Sequence, residues 1–330
     1  MRVCVPHNIE NDAQGIALGY AIAREKMLRG LEAQGWVVDD REAGTAVHFC
    51  PPWIFSPVRN KRNVLYTMWE HEWIDPCSRG TLEYADAIIV PSQFCADVFR
   101  QYARCPIHVV PLGVGTDLFT YKKREIGKPF RFLWVGAPNT RKGWQLVHEV
   151  WMQSFVRTKT CELYLKSTQI GCDIMREENM ILDGRFLSRS QLVDLYHSAH
   201  AFVFPTAGEG FGLTLAEAMA TGLPCITTRY SGVLDFTDSQ SVRYMDYDRW
   251  WTSYNFHTEV VNLKVPVARL QDVADGMEWV IKHYDEALVM AKKGSNRIHK
   301  RFTWSQAVSR LADVLGEYVE QSEHRPQVAV

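Results

Sequence analysis

The 330-residue chain contains no run of 18 or more apolar residues, so no transmembrane helix is expected. It also lacks an excess of either charge: 37 Lys and Arg stand against 38 Asp and Glu, a formal net charge of −1. Without a basic surplus, bulk electrostatics argue against a nucleic-acid partner, and the short cluster Arg59, Lys61 and Arg62 reads as a solvated loop. There is no Cys-x2-Cys pair and no Asn-x-Ser/Thr sequon; eight cysteines are scattered at Cys4, Cys50, Cys77, Cys95, Cys105, Cys161, Cys172 and Cys225. Reduced thiols in a cytoplasm are the simplest reading. No Gly-x-Gly-x2-Gly follows the first strand, which argues against a dinucleotide redox enzyme. His197 and His200 lack further ligands at metal spacing. Asp246-Tyr247-Asp248 lacks a strand-end context and reads as a loop, so no metal site is expected. The opening residues Met1–His7 turn polar too soon for a signal peptide and read as a first buried strand.

What is present is a 46% hydrophobic content, ample for a core, on a length that suits two domains. Short β-rich runs alternate with helix-period segments. Strands are predicted at Asn63–Tyr66, Ala87–Val90, His108–Val110, Phe130–Val135, Cys161–Leu165, Ala201–Phe204 and Pro224–Thr228. Helices are predicted at Gln93–Tyr102, Arg141–Phe155, Gln191–Ser198 and Leu213–Thr221, the last stopped by Gly222. Strand, loop and helix in repetition imply parallel sheets with helices on both faces. The polar segment Tyr121–Pro129 reads as a linker. The predicted organisation is therefore a first domain over 1–120, a linker over 121–129 and a second domain over 130–302. A C-terminal helix over 303–330 opens with the capping box Thr303-Trp304-Ser305-Gln306 and is expected to pack back on the first domain.

The most informative stretch is Phe204–Pro224, in which a strand ends, a glycine-rich turn follows and a helix begins. Gly208, Gly210 and Gly212 let the backbone approach a ligand closely. The free N–H groups at the helix start, near Phe211, Gly212 and Leu213, suit an anion such as a pyrophosphate. Two carboxylates frame the turn, Glu209 before the helix and Glu217 along it, with a reach of roughly 12 Å at helical rise. Read blandly, the first is a helix-dipole partner and the second a solvated surface residue.

This segment resembles the donor-site signature of the family 4 retaining glycosyltransferases, which have the GT-B fold. Pro91-Ser92 with Phe94, Val110-Pro111-Leu112-Gly113-Val114 with Phe119, Trp134-Val135-Gly136 with Arg141-Lys142-Gly143, and Tyr230-Ser231-Gly232 resemble further family segments in the same order. The resemblance covers about Pro91 to Asp235 and implies an α/β protein of two Rossmann-like, doubly wound parallel-sheet domains facing a cleft. It implies transfer of a sugar from a nucleotide-sugar, such as a UDP- or GDP-sugar, to the hydroxyl of a carbohydrate or other acceptor. By the same resemblance Glu209 addresses the transferred sugar and Glu217 the ribose. Lys142 neutralises the diphosphate, with Gly136, Gly210, Phe211, Gly212 and Leu213 on the donor and no metal or other cofactor. The family arginine after the loop glycine is replaced by Ala137, and Arg141 is a candidate to supply that charge.

In the first domain Gly15, within Gln14-Gly15-Ile16, falls where the family places glycines against the donor. The run Trp69-Glu70-His71-Glu72-Trp73 follows a strand and offers an acceptor side. His71 is its candidate for the family's first-domain histidine, and a tryptophan could stack on a sugar or simply fill the core. Four alternatives keep the fold: an epimerase, a phosphorylase, a non-catalytic nucleotide-sugar binder, or transfer onto a nucleic-acid base, against which the neutral charge argues. The expected setting is cytoplasmic, with peripheral membrane association compatible.

Overall fold

The computed structural model describes residues 1–6, 17–171, 173–256 and 259–323. The chain divides into two compact units, the first comprising Met1–Gly113 together with the chain from Phe302 onward, the second Val114–Arg301.

In the first unit, helix α1 (Ala17–Ala33) precedes strand β1 (Thr45–Phe49) and strand β2 (Arg62–Tyr66). Then come helix α2 (Pro76–Leu82), strand β3 (Ala87–Val90), helix α3 (Gln93–Phe99) and strand β4 (Ile107–Val109). The four strands are parallel in the order β1-β2-β3-β4. Every residue of β1 and β3 is buried, as expected of a sheet covered on both faces. The N-terminal segment runs alongside β1 through isolated bridges, with the Cys4 N–H bonded to the Thr45 carbonyl at 2.9 Å.

The second unit opens on strand β5 (Phe130–Val135), helix α4 (Trp144–Val150), strand β6 (Cys161–Lys166), strand β7 (Ile174–Glu177) and strand β8 (Met180–Asp183). Helix α5 (Arg189–Ser198), strand β9 (Ala201–Phe204), helix α6 (Leu213–Ala220), strand β10 (Cys225–Thr228) and strand β11 (Arg243–Met245) follow. A ribbon of strands β12 (Tyr247–Phe256) and β13 (Glu259–Ala268) precedes helices α7 (Leu270–Lys282) and α8 (Tyr284–Arg301). The seven-stranded sheet has the order β11-β10-β9-β5-β6-β8-β7, parallel except for the edge strand β7. After β5 the chain crosses to β6; after β9 it crosses the other way, to β10. The adjacent carboxyl ends of β5 and β9 are therefore the point where winding reverses, the place where doubly wound sheets hold ligands.

The final helix, α9 (Trp304–Glu323), belongs to the first unit. Its capping box is in place: the Gln306 N–H is bonded to Thr303 Oγ1 at 3.3 Å, and the Thr303 N–H to Gln306 Oε1 at 3.2 Å. Tyr318 OH sits 2.9 Å from His108 Nε2 of β4.

The boundary and the linker differ from the sequence reading. The first unit ends at Gly113 rather than at residue 120, and the segment predicted as a linker over 121–129 is fastened to the second unit. Arg124 is buried there and donates to the Ala199 carbonyl at 3.2 Å, the Tyr196 carbonyl at 3.1 Å and the Thr221 carbonyl at 2.5 Å. These carbonyls lie at the C-terminal ends of α5 and α6, where intrahelical partners run out, and one guanidinium reaches all three. Burial lowers its pKa to about 10, still far above neutrality, so the cation persists. The predicted loop at Asp246–Asp248 is also corrected: Tyr247 and Asp248 begin β12, and Asp248 is paired with Arg269 at 3.1 Å. No helix among the described residues is long and apolar enough to cross a membrane.

Candidate functional site

The site grows out of two loops at the winding reversal. The loop after β5 runs through Gly136 to a 3-10 turn at Thr140–Lys142, which Asn139 caps by accepting the Lys142 N–H at 3.0 Å. The predicted helix over 141–155 is broken here. Gly143 adopts a left-handed φ of 68°, and a Cβ on it would collide with the Pro205 carbonyl of the loop after β9. A side chain is excluded on both counts, and α4 starts only at Trp144. This close approach brings Arg141 and Lys142 against the second loop. The Ala207 N–H is bonded to the Arg141 carbonyl at 2.7 Å, and Trp134 Nε1 to the Lys142 carbonyl at 3.1 Å.

Glu209, 5% exposed, is the centre of that contact. Lys142 Nζ lies 2.7 Å from its Oε1 and 2.8 Å from its Oε2. Arg141 Nη1 lies 3.1 Å from Oε1 and 2.5 Å from the Gly208 carbonyl. The Thr206 hydroxyl, fully buried, is 2.9 Å from Oε1. Burial alone would push the Glu209 carboxyl up; Lys142 and Arg141 outweigh it and hold the group below the usual carboxylate range. The resting charge at this site is thus one carboxylate between two cations.

Glu217, on α6, is 4% exposed, which overturns its bland reading as a solvated surface residue. Its partners are distant: Arg189 Nη2 at 3.6 Å and Tyr196 OH at 3.5 Å. Burial pushes its carboxyl up to about 7, because Arg189 and Tyr196 offset only part of the desolvation. A buried acid with such thin internal company retains hydrogen-bonding capacity for a ligand hydroxyl. Between the two acids, Gly212 (φ 96°) leads into α6 at Leu213, and Phe211 is buried with its ring 5.0 Å from Phe236. Gly136 follows the end of β5, its N–H bonded to the Lys166 carbonyl at 3.1 Å.

The structure therefore gathers Glu209, Lys142, Arg141 and the glycine turn into one cluster and sets Glu217 one helix further along. Among the first-unit candidates, Trp69 is corrected: it is 2% exposed, packs edge-on to Trp53 at 6.0 Å and donates Nε1 to the Trp73 carbonyl at 2.8 Å. It is core, not an acceptor platform. Glu70, His71 and Trp73 are half-buried and Glu72 is exposed; Arg79 covers the Trp73 ring at 5.0 Å. Gly15 lies outside the described residues. His197 and His200 are structural, the first against the Thr120 carbonyl at 2.9 Å, the second accepting the Arg131 N–H at 2.9 Å. No cluster of metal-ligating side chains occurs among the described residues. Three residues that the sequence reading left without a role belong to the site: Thr206 and Ser231 beside Glu209, and Arg189 beside Glu217. Thr206 and Ser231 stand inside the recognised segments, whereas nothing in the sequence marks Arg189.

Residues 186–311 match the family model described as Family 4 Glycosyltransferase in conflict systems. A D-inositol 3-phosphate glycosyltransferase of Corynebacterium aurimucosum is 23% identical over 310 residues, covering 86% of this chain and 68% of that protein. Its counterpart in Corynebacterium jeikeium is 28% identical over 185 residues, 48% of this chain and 44% of the relative, so the match spans under half of that protein. Among solved structures, Anabaena HepE in complex with UDP and glucose superposes with a TM-score of 0.70 at 12% identity, over 96% of this chain and 99% of that one. The sucrose-phosphate synthase of Thermosynechococcus elongatus gives 0.64 at 16% identity, over 97% and 88%. Motif, relatives and fold agree: the chain is similar to family 4 glycosyltransferases over the matched residues and has the GT-B fold.

Proposed function

We propose that the chain transfers a sugar from a UDP- or GDP-sugar to an acceptor hydroxyl with retention of configuration and without a metal. The observation that carries this reading is the cluster of buried Glu209 with half-buried Lys142 and Arg141 at the winding reversal, beside the start of α6. In this reading the diphosphate enters between the two cations and the free N–H groups at Gly212 and Leu213, while Glu217 accepts from the ribose hydroxyls. The bond from the anomeric carbon to the diphosphate oxygen breaks. The acceptor oxygen bonds the anomeric carbon on the same face, and its proton passes to the departing diphosphate. Negative charge grows on that diphosphate in the transition state, where fixed cations contribute most. Glu209 then turns to the sugar hydroxyls. Glu70, His71, Glu72 and Trp73 are the acceptor-side candidates.

The test is a thermal-shift screen of UDP-glucose, UDP-N-acetylglucosamine and GDP-mannose, since a bound donor raises the melting temperature by mass action. The donor selected is then followed by NMR for net transfer and product anomer. Retained configuration and full activity in EDTA are expected. An inverted product, or activity lost in EDTA and restored by Mn²⁺, overturns the corresponding part. Donor binding with neither transfer nor hydrolysis instead supports a non-catalytic binder, the reading that Ala137 in the phosphate loop favours.

A further inference from the structure

The loop Tyr230-Ser231-Gly232 opens a 3-10 turn after β10, and its geometry is unusual for its residue types. Ser231 has a φ of 65°, the left-handed region that disfavours a Cβ. The other described non-glycine residues with positive φ, Asp39, Asn60 and Glu178, are exposed; Ser231 is 4% exposed. A glycine would sit there without strain, yet the chain keeps a side chain at a buried position. Such outliers persist where the surroundings over-determine them.

The hydroxyl has a definite partner. Ser231 Oγ accepts the main-chain N–H of Glu209 at 2.8 Å. The next residue completes the grip, for the Gly232 N–H is bonded to the Glu209 carbonyl at 3.0 Å. A Cβ on Gly232 would collide with the Gly210 carbonyl, so the two loops touch backbone to backbone. Both main-chain groups of Glu209 are thus held by one dipeptide, while its carboxylate is held by Lys142, Arg141 and Thr206. Without the hydroxyl, the Glu209 N–H loses its acceptor in a buried place, and the turn must shift to find another.

We propose that Ser231 is a positioning residue: its hydroxyl fixes the Glu209 backbone so that the carboxylate stands at one place between Lys142 and the transferred sugar, and the left-handed strain is retained for that purpose. The assignment rests on the glycosyltransferase reading for the identity of the sugar, and on geometry alone for the grip on Glu209.

Two variants separate positioning from folding. Ser231→Gly removes the hydroxyl and the strain together, whereas Ser231→Ala removes the hydroxyl and keeps the strain. The glycine variant is expected to melt above the alanine variant. Both should lose kcat with UDP-glucose by a similar factor, roughly ten- to hundredfold for a small misplacement. The KM for UDP-glucose and the Kd for UDP by calorimetry should stay within about twofold, because the nucleotide contacts are untouched. Turnover that follows melting temperature, with Ser231→Gly near wild type, overturns the proposal. A second readout needs no turnover. In protein labelled with δ-13C glutamate, with the Glu209 signal assigned by Glu209→Gln, the Glu209 titration midpoint should rise in both variants as the carboxylate leaves its two cations. An unchanged midpoint overturns the proposal too. If the wild type transfers nothing and binds no UDP, the function reading fails while this titration still decides the grip.

Discussion

Glu209 and Glu217 are eight positions apart, borne by one turn and helix, and almost equally buried, yet they are opposite in electrostatic character. Burial drives both upward. Glu209 meets Lys142 at 2.7 Å, Arg141 at 3.1 Å and a buried threonine hydroxyl, and is held ionised. Glu217 meets an arginine at 3.6 Å and a phenol at 3.5 Å, and is pushed up to about 7. Partner geometry, not burial, separates them. Glu209 is saturated by its own protein, so a ligand there must compete with an ion pair already made. Glu217 is under-supplied, so a ligand there gains what the protein leaves open.

The largest expected effect comes from breaking the saturated side. Lys142→Ala should lower turnover at least about a hundredfold, or about 2.7–4 kcal/mol, the usual cost of removing one preorganised charge contact in a transition state. Single-turnover transfer measures it; near-normal turnover would show that Arg141 alone neutralises the diphosphate. A middle effect sharpens the contrast. Glu217→Ala should weaken free UDP roughly tenfold or more, by about 1.5–3 kcal/mol for a hydrogen bond to a charged group. Glu209→Ala should leave UDP affinity nearly unchanged and reduce transfer instead. Calorimetry with nucleotide alone distinguishes them, and identical binding losses would misplace the donor along this segment.

The smallest effect is on stability against pH, where the two acids should have opposite signs. Glu217 is raised in the folded chain, so the stability its proton supplies is complete below the ordinary glutamate pKa and disappears as pH rises through about 7. Glu209 is lowered, so its contribution is present above the ordinary glutamate pKa and disappears only as pH falls through its depressed value. Melting curves of Glu217→Gln and Glu209→Gln against wild type should therefore diverge in opposite directions between about pH 5 and 8 and below pH 5 respectively. Parallel curves would mean that the two environments are not different in kind.

Much of this was legible in the sequence, and for identifiable reasons. The strand exits at Val135 and Phe204 end in glycine- and proline-marked loops, and the motif from Glu209 to Glu217 carries its own spacing, so the fold and the family resemblance could be read. The pairing of Lys142 with Glu209 joins positions 67 apart and has no local signal; resemblance alone put both on the donor. Arg124 was hidden by its company, because Lys122, Lys123 and Glu125 make a run that looks solvated. Nothing in such a run shows that one guanidinium turns inward to two helix ends. Ser231 is recognisable in the sequence only as part of the Tyr230-Ser231-Gly232 loop, because left-handed strain belongs to φ, not to composition. The ribbon escaped because adjacent Trp250 and Trp251 break the alternation that marks a half-buried strand.

That ribbon has a consequence of its own. Among the described residues its ten-residue strands pair with one another and with no other strand, and the chain closes beneath them where the Arg269 N–H meets the Asp246 carbonyl at 3.2 Å. An arm that leaves and returns through one doorway is a graft: the seven-stranded sheet does not depend on its register. Trp250, Trp251 and Val260 are 62%, 72% and 69% exposed on it. Excising 250–265 and joining Arg249 to Pro266 through an Asn-Gly turn should raise solubility while shifting the melting temperature by only a few degrees, and a collapse of the fold would show that the arm is a strut rather than a graft.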